Sequence, residues 1–185
     1  EYVEFLGQEM GPLEKPPFAY RPSTGCHSFS VEVNIALAQG NPDGYVPGTD
    51  YGYIQLPKNY NPYGEPTRLI IVCHGAGASL STYQSDEWKN TNYSFWTDLG
   101  YAVMDMYACP PELTGDNSAL HYGNPIVLDC YKAGYDYVMK NFNLKQDGIF
   151  VIGSSMGGLS SFQIVQSGQF PVLAQVAYCP VIDLF

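Results

Sequence analysis

Hydrophobic positions follow two rhythms along this chain. From Ser28 to Leu37 they alternate, with Phe29, Val31, Val33, Ile35 and Leu37 on one side, which predicts a strand with one solvated face. The stretch 39–50, QGNPDGYVPGTD, is rich in turn-forming residues and predicts a break, followed by a second strand over 51–56. The opening alternation and turns suggest antiparallel pairing near one edge of a sheet. After a loop over 57–66 the rhythm changes: the unbroken apolar runs 69–73 and 149–152 are read as buried strands, and 101–106 and 172–177 as further strands.

Between these runs the apolar positions recur at helical spacing. Residues 92–99 predict a short helix carrying Phe95, Trp96 and Leu99, closed by Gly100. A loop over 107–123 contains the pair Pro110 and Pro111. Asn124 and Pro125 then start a helix whose buried stripe is Val127, Cys130, Tyr131, Gly134 and Val138. A further helix runs from just after Ser155 to about Ser167, with Gly168 past its end. Strands alternating with helices predict an α/β fold: a mostly parallel twisted sheet flanked by helices, with antiparallel strands at the amino-terminal side. In such sheets ligands gather at the carboxyl ends of the strands.

Two motifs sit at those ends. Residues 148–158, GIFVIGSSMGG, place Ser155 where a strand turns into a helix, with Gly153 two before and Gly157 two after. This GxSxG spacing is that of a nucleophile elbow, in which a strained turn exposes the serine hydroxyl and only small neighbours fit. Ser154 is a poorer candidate, because its flanking positions are Ile152 and Met156. Residues 69–77, LIIVCHGAG, run from a strand into His74, Gly75, Ala76 and Gly77. Acyl transfer builds negative charge on the former carbonyl oxygen, and two fixed backbone N–H groups stabilise it. Met156, after the serine, is one candidate donor, and Ala76 or Gly75 is the other.

On these two motifs, in this chain order, the sequence resembles the α/β-hydrolase superfamily. The resemblance implies a carboxylate and then a histidine after the serine to activate it. Only 30 residues follow Ser155, and none is histidine. The resemblance also implies two more strands. The expectation is therefore one domain over 1–185, the amino-terminal two-thirds or so of a complete hydrolase, with an exposed strand where the last two would pair.

The histidines and acids present receive other readings. His74 holds its loop by hydrogen bonds, His121 is a solvated or substrate-contacting loop residue, and His27 is structural. Asp183, in CPVIDLF, is the one acid beyond the elbow; some members of the family place their carboxylate after this strand, but an acid here more often braces a loop. Asp105 and Asp129 read as structural or solvated.

Composition narrows the function. Eight Lys and Arg against 18 Asp and Glu give a net charge of -10, which repels phosphate backbones and anionic lipid, so nucleic acid and membrane are not expected partners. No apolar run approaches the about 18 residues that cross a bilayer, and the start EYVEFLGQEM has no signal-peptide pattern. Both an extracytoplasmic and a cytoplasmic location fit. The five cysteines read as buried free thiols, and without CxxC or HExxH no metal site or cofactor is expected.

Two functional classes follow. One is a serine hydrolase, taking a small-molecule or carbohydrate ester, with peptide substrates as an alternative; the stretch 52–77 resembles the lead-in of polysaccharide esterases and of prolyl oligopeptidase-like members. Trp88, Trp96 and the 16 tyrosines offer stacking surfaces, though most aromatic residues pack cores. The other is a noncatalytic binding or scaffold protein that kept the fold and lost its base.

Overall fold

The computed structural model describes residues 2–5, 8–12, 25–36, 38–87, 93–115, 122 and 124–182. Strands β1 (Tyr2–Phe5) and β2 (Gln8–Pro12) form a separate antiparallel pair. The alternating segment and its neighbour become β3 (Gly25–Asn34) and β4 (Pro47–Leu56), antiparallel from Gly25 opposite Leu56 to Asn34 opposite Pro47. Strand β4 starts four residues before the expected 51. Pro47 stands at its first position, where a missing N–H costs no ladder bond, and Thr49 and Asp50 pair with Glu32 and Val31. At the other end of the pair Asn34 closes the turn, its Oδ1 accepting from the N–H groups of Ala36 (3.1 Å) and Val46 (3.0 Å). Leu37 lies outside the described residues.

The remaining strands are β5 (Leu69–Cys73), β6 (Ala102–Met106), β7 (Ile149–Ser154) and β8 (Val172–Tyr178). Their sheet has the order β3-β4-β6-β5-β7-β8. Strand β6 is antiparallel to β4 but parallel to β5, and the pairings β5 with β7 and β7 with β8 are parallel too. The sheet is therefore mixed, as expected, and the carboxyl ends Cys73, Met106, Ser154 and Tyr178 point the same way.

Among the described residues, the helices between these strands are α1 (Leu80–Tyr83), α2 (Ser94–Asp98), α3 (Pro111–Thr114), α4 (Pro125–Asn141) and α5 (Gly157–Ser167). Helix α4 starts as its sequence demands, with the Asn124 side chain accepting from the Ile126 N–H (3.2 Å) and Pro125 in the first turn. It buries Ile126, Val127, Cys130, Tyr131, Gly134 and Val138 against the sheet residues Leu69, Ile71, Met104, Met106, Ile149 and Val151. Each buried Val, Ile, Leu or Met side chain among them contributes roughly 1.5–3 kcal/mol through removal of apolar surface from water. Helix α5 adds Ile164 to this core and ends on left-handed Gly168 (φ 65°). The four-residue helices α1 and α3 are too short to leave a helical rhythm in the sequence.

The opposite face of the sheet is less covered. Ile70, Val72 and Val103 are buried there, with Trp96, Phe150 and Ile152 half-buried beside them. The run 149–152 is thus not fully buried as expected, because only Ile149 and Val151 meet the helices. Phe95 of α2 and Leu99 just after it are 60% and 58% exposed, and Thr97 is the buried residue of this helix. Strand β8 leaves Leu173, Val176 and Tyr178 exposed. Four cysteines are buried free thiols, but Cys179 is exposed. Among the described residues, no helix is long and apolar enough to cross a membrane, and no group of three His, Cys, Asp or Glu is placed to hold a metal ion.

Candidate active site

Between the end of β7 and the start of α5 the chain turns within two residues, Ser155 and Met156. Ser155 has φ 51°, a left-handed backbone that a residue with a side chain adopts at a cost of order 1–2 kcal/mol. Backbone bonds on both sides impose it. The Ser155 N–H donates to the Tyr178 carbonyl (3.1 Å), and the Ser155 carbonyl accepts from the N–H groups of Gly158 (2.9 Å) and Val181 (2.8 Å). The flanking glycines permit the turn. A methyl group on Gly153 would lie 2.5 Å from both the Gly157 carbonyl oxygen and the Ser161 hydroxyl. One on Gly157 would overlap the end of β5. Ser155 is partly exposed, while Met156 is fully buried at the first turn of α5.

The loop that follows β5 meets this turn. A methyl group on Gly75 would touch Ser155 Cβ and the Ser154 carbonyl oxygen, both at 3.5 Å. Gly75 and Ser155, 80 positions apart in the chain, thus lie close enough that one added methyl group would bridge them. Gly77 takes φ 91° and turns the loop toward α1. Among the described residues, the backbone N–H groups of Gly75, Ala76 and Met156 donate to no protein acceptor. Met156 is buried, Gly75 half-buried and Ala76 exposed, so the amides of Met156 and Gly75 are the donors a ligand would satisfy in place of water.

Both ring nitrogens of His74 face backbone carbonyls. Its Nε2 lies 3.1 Å from the Tyr107 carbonyl and its Nδ1 lies 2.7 Å from the carbonyl of Gly75. Carbonyls only accept, so a ring nitrogen bonded here acts as donor to the backbone. The Tyr107 turn is itself braced from below: Asp50, fully buried, accepts from the Ala108 N–H (2.9 Å), and Ala108 has φ 57°. Burial pushes the Asp50 carboxyl up to about 7, against the lowering effect of the Ala108, Tyr51 and Cys109 amides and the Cys130 thiol. His27 stacks on Phe142 at 6.0 Å. No described histidine stands as a base for Ser155. His121, Asp183 and Trp88 lie outside the described residues.

Asp105, read from sequence as structural or solvated, is buried and heavily bonded. Its Oδ1 accepts from the Tyr131 hydroxyl (3.0 Å) and the Met106 N–H (2.8 Å), and its Oδ2 accepts from the Tyr83 hydroxyl (3.1 Å). Burial raises its pKa to about 6, while nearby His74 and these hydrogen bonds pull it down. Nothing local signals this cluster, since its tyrosines lie 22 and 26 residues away. Asp129 is exposed on α4. A cleft of about 590 Å³ lined by Asn59, Arg68, Gly100, Tyr101 and Lys145 opens at the amino ends of the parallel strands, remote from Ser155. Arg68 is already paired there with Asp147 (2.6 Å).

No protein-family model matches the sequence, and no curated protein matches it. Solved structures do resemble its fold. Puromycin hydrolase superposes with a TM-score of 0.61 at 15% identity, over 96% of this chain and 24% of that one. A putative dipeptidyl aminopeptidase IV from Bacteroides ovatus gives 0.60 at 16% identity, over 96% of this chain and 24% of that one. S-formylglutathione hydrolase from Staphylococcus aureus gives 0.55 at 17% identity, over 90% of this chain and 63% of that one. The chain spans less than two thirds of the length of each. Identity at this level speaks for the fold alone.

Proposed function

The chain has the α/β-hydrolase fold, and on it we propose that Ser155 is the nucleophile of a serine hydrolase acting on carboxylic esters. One observation carries the reading: Ser155 holds φ 51° at the β7 to α5 turn, beside Gly75, where an added methyl group would lie 3.5 Å from the Ser155 Cβ. Strain of this kind persists where surrounding structure enforces it, and it gathers at reactive groups.

In this proposal Ser155 Oγ bonds to the acyl carbon while the carbonyl π electrons move to oxygen. The N–H of Met156 and that of Ala76 or Gly75 receive the oxyanion, and the amino end of α5 favours its charge. The oxyanion electrons then re-form the carbonyl, and the bond between the acyl carbon and the alkoxy oxygen breaks. The alcohol leaves with the proton taken from Ser155 by a base, and water repeats the sequence on the acyl enzyme. That base and the carboxylate orienting it come from residues outside those described. The substrate is a small-molecule or carbohydrate ester, and neither nucleic acid nor membrane is a partner of an acidic protein of this kind.

A second reading, peptide hydrolysis, is favoured by the likeness to a protein named as a dipeptidyl aminopeptidase. Labelling of the full-length protein with a fluorophosphonate tests the nucleophile: the label is expected on wild type and absent from Ser155→Ala. No label on folded wild type replaces the enzyme with a binding or scaffold protein. Turnover of p-nitrophenyl esters without turnover of the matching p-nitroanilides selects the esterase over the peptidase.

A further inference from the structure

Residues 75–79 of the loop are half-buried to exposed, yet the proposed chemistry requires its amides to be fixed to within a fraction of an ångström. Both of its ends are fastened to one place, the carboxyl end of β6. At the near end His74 Nε2 meets the carbonyl of Tyr107, the residue after β6. At the far end Tyr83, the one buried residue of α1, donates its hydroxyl to Asp105 Oδ2 at 3.1 Å. The Tyr83 ring fills the space between, with centroids 5.7 Å from His74, 5.5 Å from Tyr107 and 5.3 Å from Tyr53.

Asp105 is the common point. It belongs to β6, is 1% exposed, and collects hydrogen bonds from α1 through Tyr83, from α4 through Tyr131 and from its own strand through Met106. Tyr131 also reaches the Val72 carbonyl (3.3 Å), one residue before the end of β5. A carboxylate in a sheet interior is costly to fold around, and an apolar residue would fill the space with less penalty. What the carboxylate supplies, and a hydrocarbon does not, is a directional tie to Tyr83, beyond the loop, and to Tyr131, which reaches the strand before it.

We infer that Asp105 is a positioning residue for the oxyanion loop, holding Gly75 and Ala76 against Ser155 through Tyr83 at one end and alongside His74 at the other. The inference rests on the reading of that loop as the oxyanion hole, and goes beyond it by assigning the group that sets its geometry. Asp105 touches no substrate in this scheme; it acts through Tyr83.

The test uses the full-length protein with Tyr83→Phe, which removes one hydroxyl and keeps the ring, and Asp105→Asn, which keeps the shape. For both, kcat on an ester is expected to fall tenfold or more with KM within twofold of wild type. Residues that merely fill the core would leave kcat unmoved in a folded variant. Amide hydrogen exchange supplies a readout independent of activity: exchange at residues 75–77 is expected to rise at least tenfold, with the amides of β5 and β7 unchanged. Folded Tyr83→Phe with wild-type kcat, or with unchanged exchange at 75–77, overturns the inference. Should Asp105→Asn fail to fold, Tyr83→Phe decides alone. A wild-type protein that takes no fluorophosphonate overturns the hydrolase reading instead, and the exchange measurement still decides the tie.

Discussion

Gly157 opens helix α5 directly against Cys73, the last residue of β5: a methyl group on Gly157 would overlap the Cys73 carbonyl oxygen and lie 2.5 Å from that of His74. The start of the helix and the start of the loop therefore share one space, and neither moves without the other. Both opposing atoms are backbone, so no side chain can swing aside.

Gly157→Ala should accordingly cost about 3 kcal/mol or more by overpacking, and should separate the Ser155 turn from Gly75. Gly77→Ala is the contrast, since nothing lies within 4 Å of its added methyl and only the left-handed φ of 91° is penalised. That backbone term is about 1–2 kcal/mol. Urea unfolding of the two variants is expected to rank them in this order; equal losses would mean that the space beside Cys73 is not closed.

Ser155→Gly should raise stability while abolishing labelling. Glycine accepts φ 51° without the steric cost borne by serine, a gain of about 1 kcal/mol. Ser155→Ala keeps the strain and is expected to leave the thermal midpoint close to wild type. A Ser155→Gly midpoint below that of Ser155→Ala would count against strain at this turn.

Acid is expected to stabilise the fold through Asp50 and Asp105. Their folded pKa values, raised to about 7 and about 6 from 3.8, mean that the folded state holds a proton more tightly than the unfolded one. The contribution is complete below the unfolded value and is lost as pH rises through the folded values. Each group gives at most about 1.4 kcal/mol per pH unit within its window. Asp50→Asn mimics the protonated form, so its urea midpoint relative to wild type should improve between pH 5 and pH 8. Parallel midpoints across that range would show that Asp50 does not titrate in this window.

Cys179 should be the one fast thiol among the five, since the other four are buried. It follows Tyr178 and precedes Val181 by two, the residues whose backbone bonds hold Ser155. Reaction of native protein with a chromogenic disulfide is expected to release one equivalent quickly, and Cys179→Ser to remove that phase. A maleimide adduct at Cys179 should slow fluorophosphonate labelling of Ser155. Unchanged labelling after complete modification would show that the 178–181 segment does not govern access to the serine.

Much of this architecture is legible in local patterns. The stripe Val127, Cys130, Tyr131, Gly134 and Val138 predicts the buried face of α4, and all five are buried. The apolar run before Ser155 and the glycines around it place a turn between strand and helix, where β7 and α5 meet. The breaker-rich 39–50 stretch misleads at its end: Thr49 and Asp50 are strand residues, because pairing with Glu32 and Val31 outweighs weak local preference. Phe95 and Leu99 share the spacing of core residues and are nonetheless exposed. Periodicity reports which residues lie on one side of an element, not what covers that side.

By itself the sequence determined the elements, their α/β alternation and the candidate serine, because strand runs, helical stripes and a small-residue turn are short-range features of backbone and side-chain sterics. Only the tertiary structure decided that β6 inserts between β4 and β5, that Gly75 reaches Ser155, and that Asp105 gathers Tyr83 and Tyr131. These depend on burial and hydrogen-bond satisfaction summed over segments distant in the chain, and no local window of residues contains that balance.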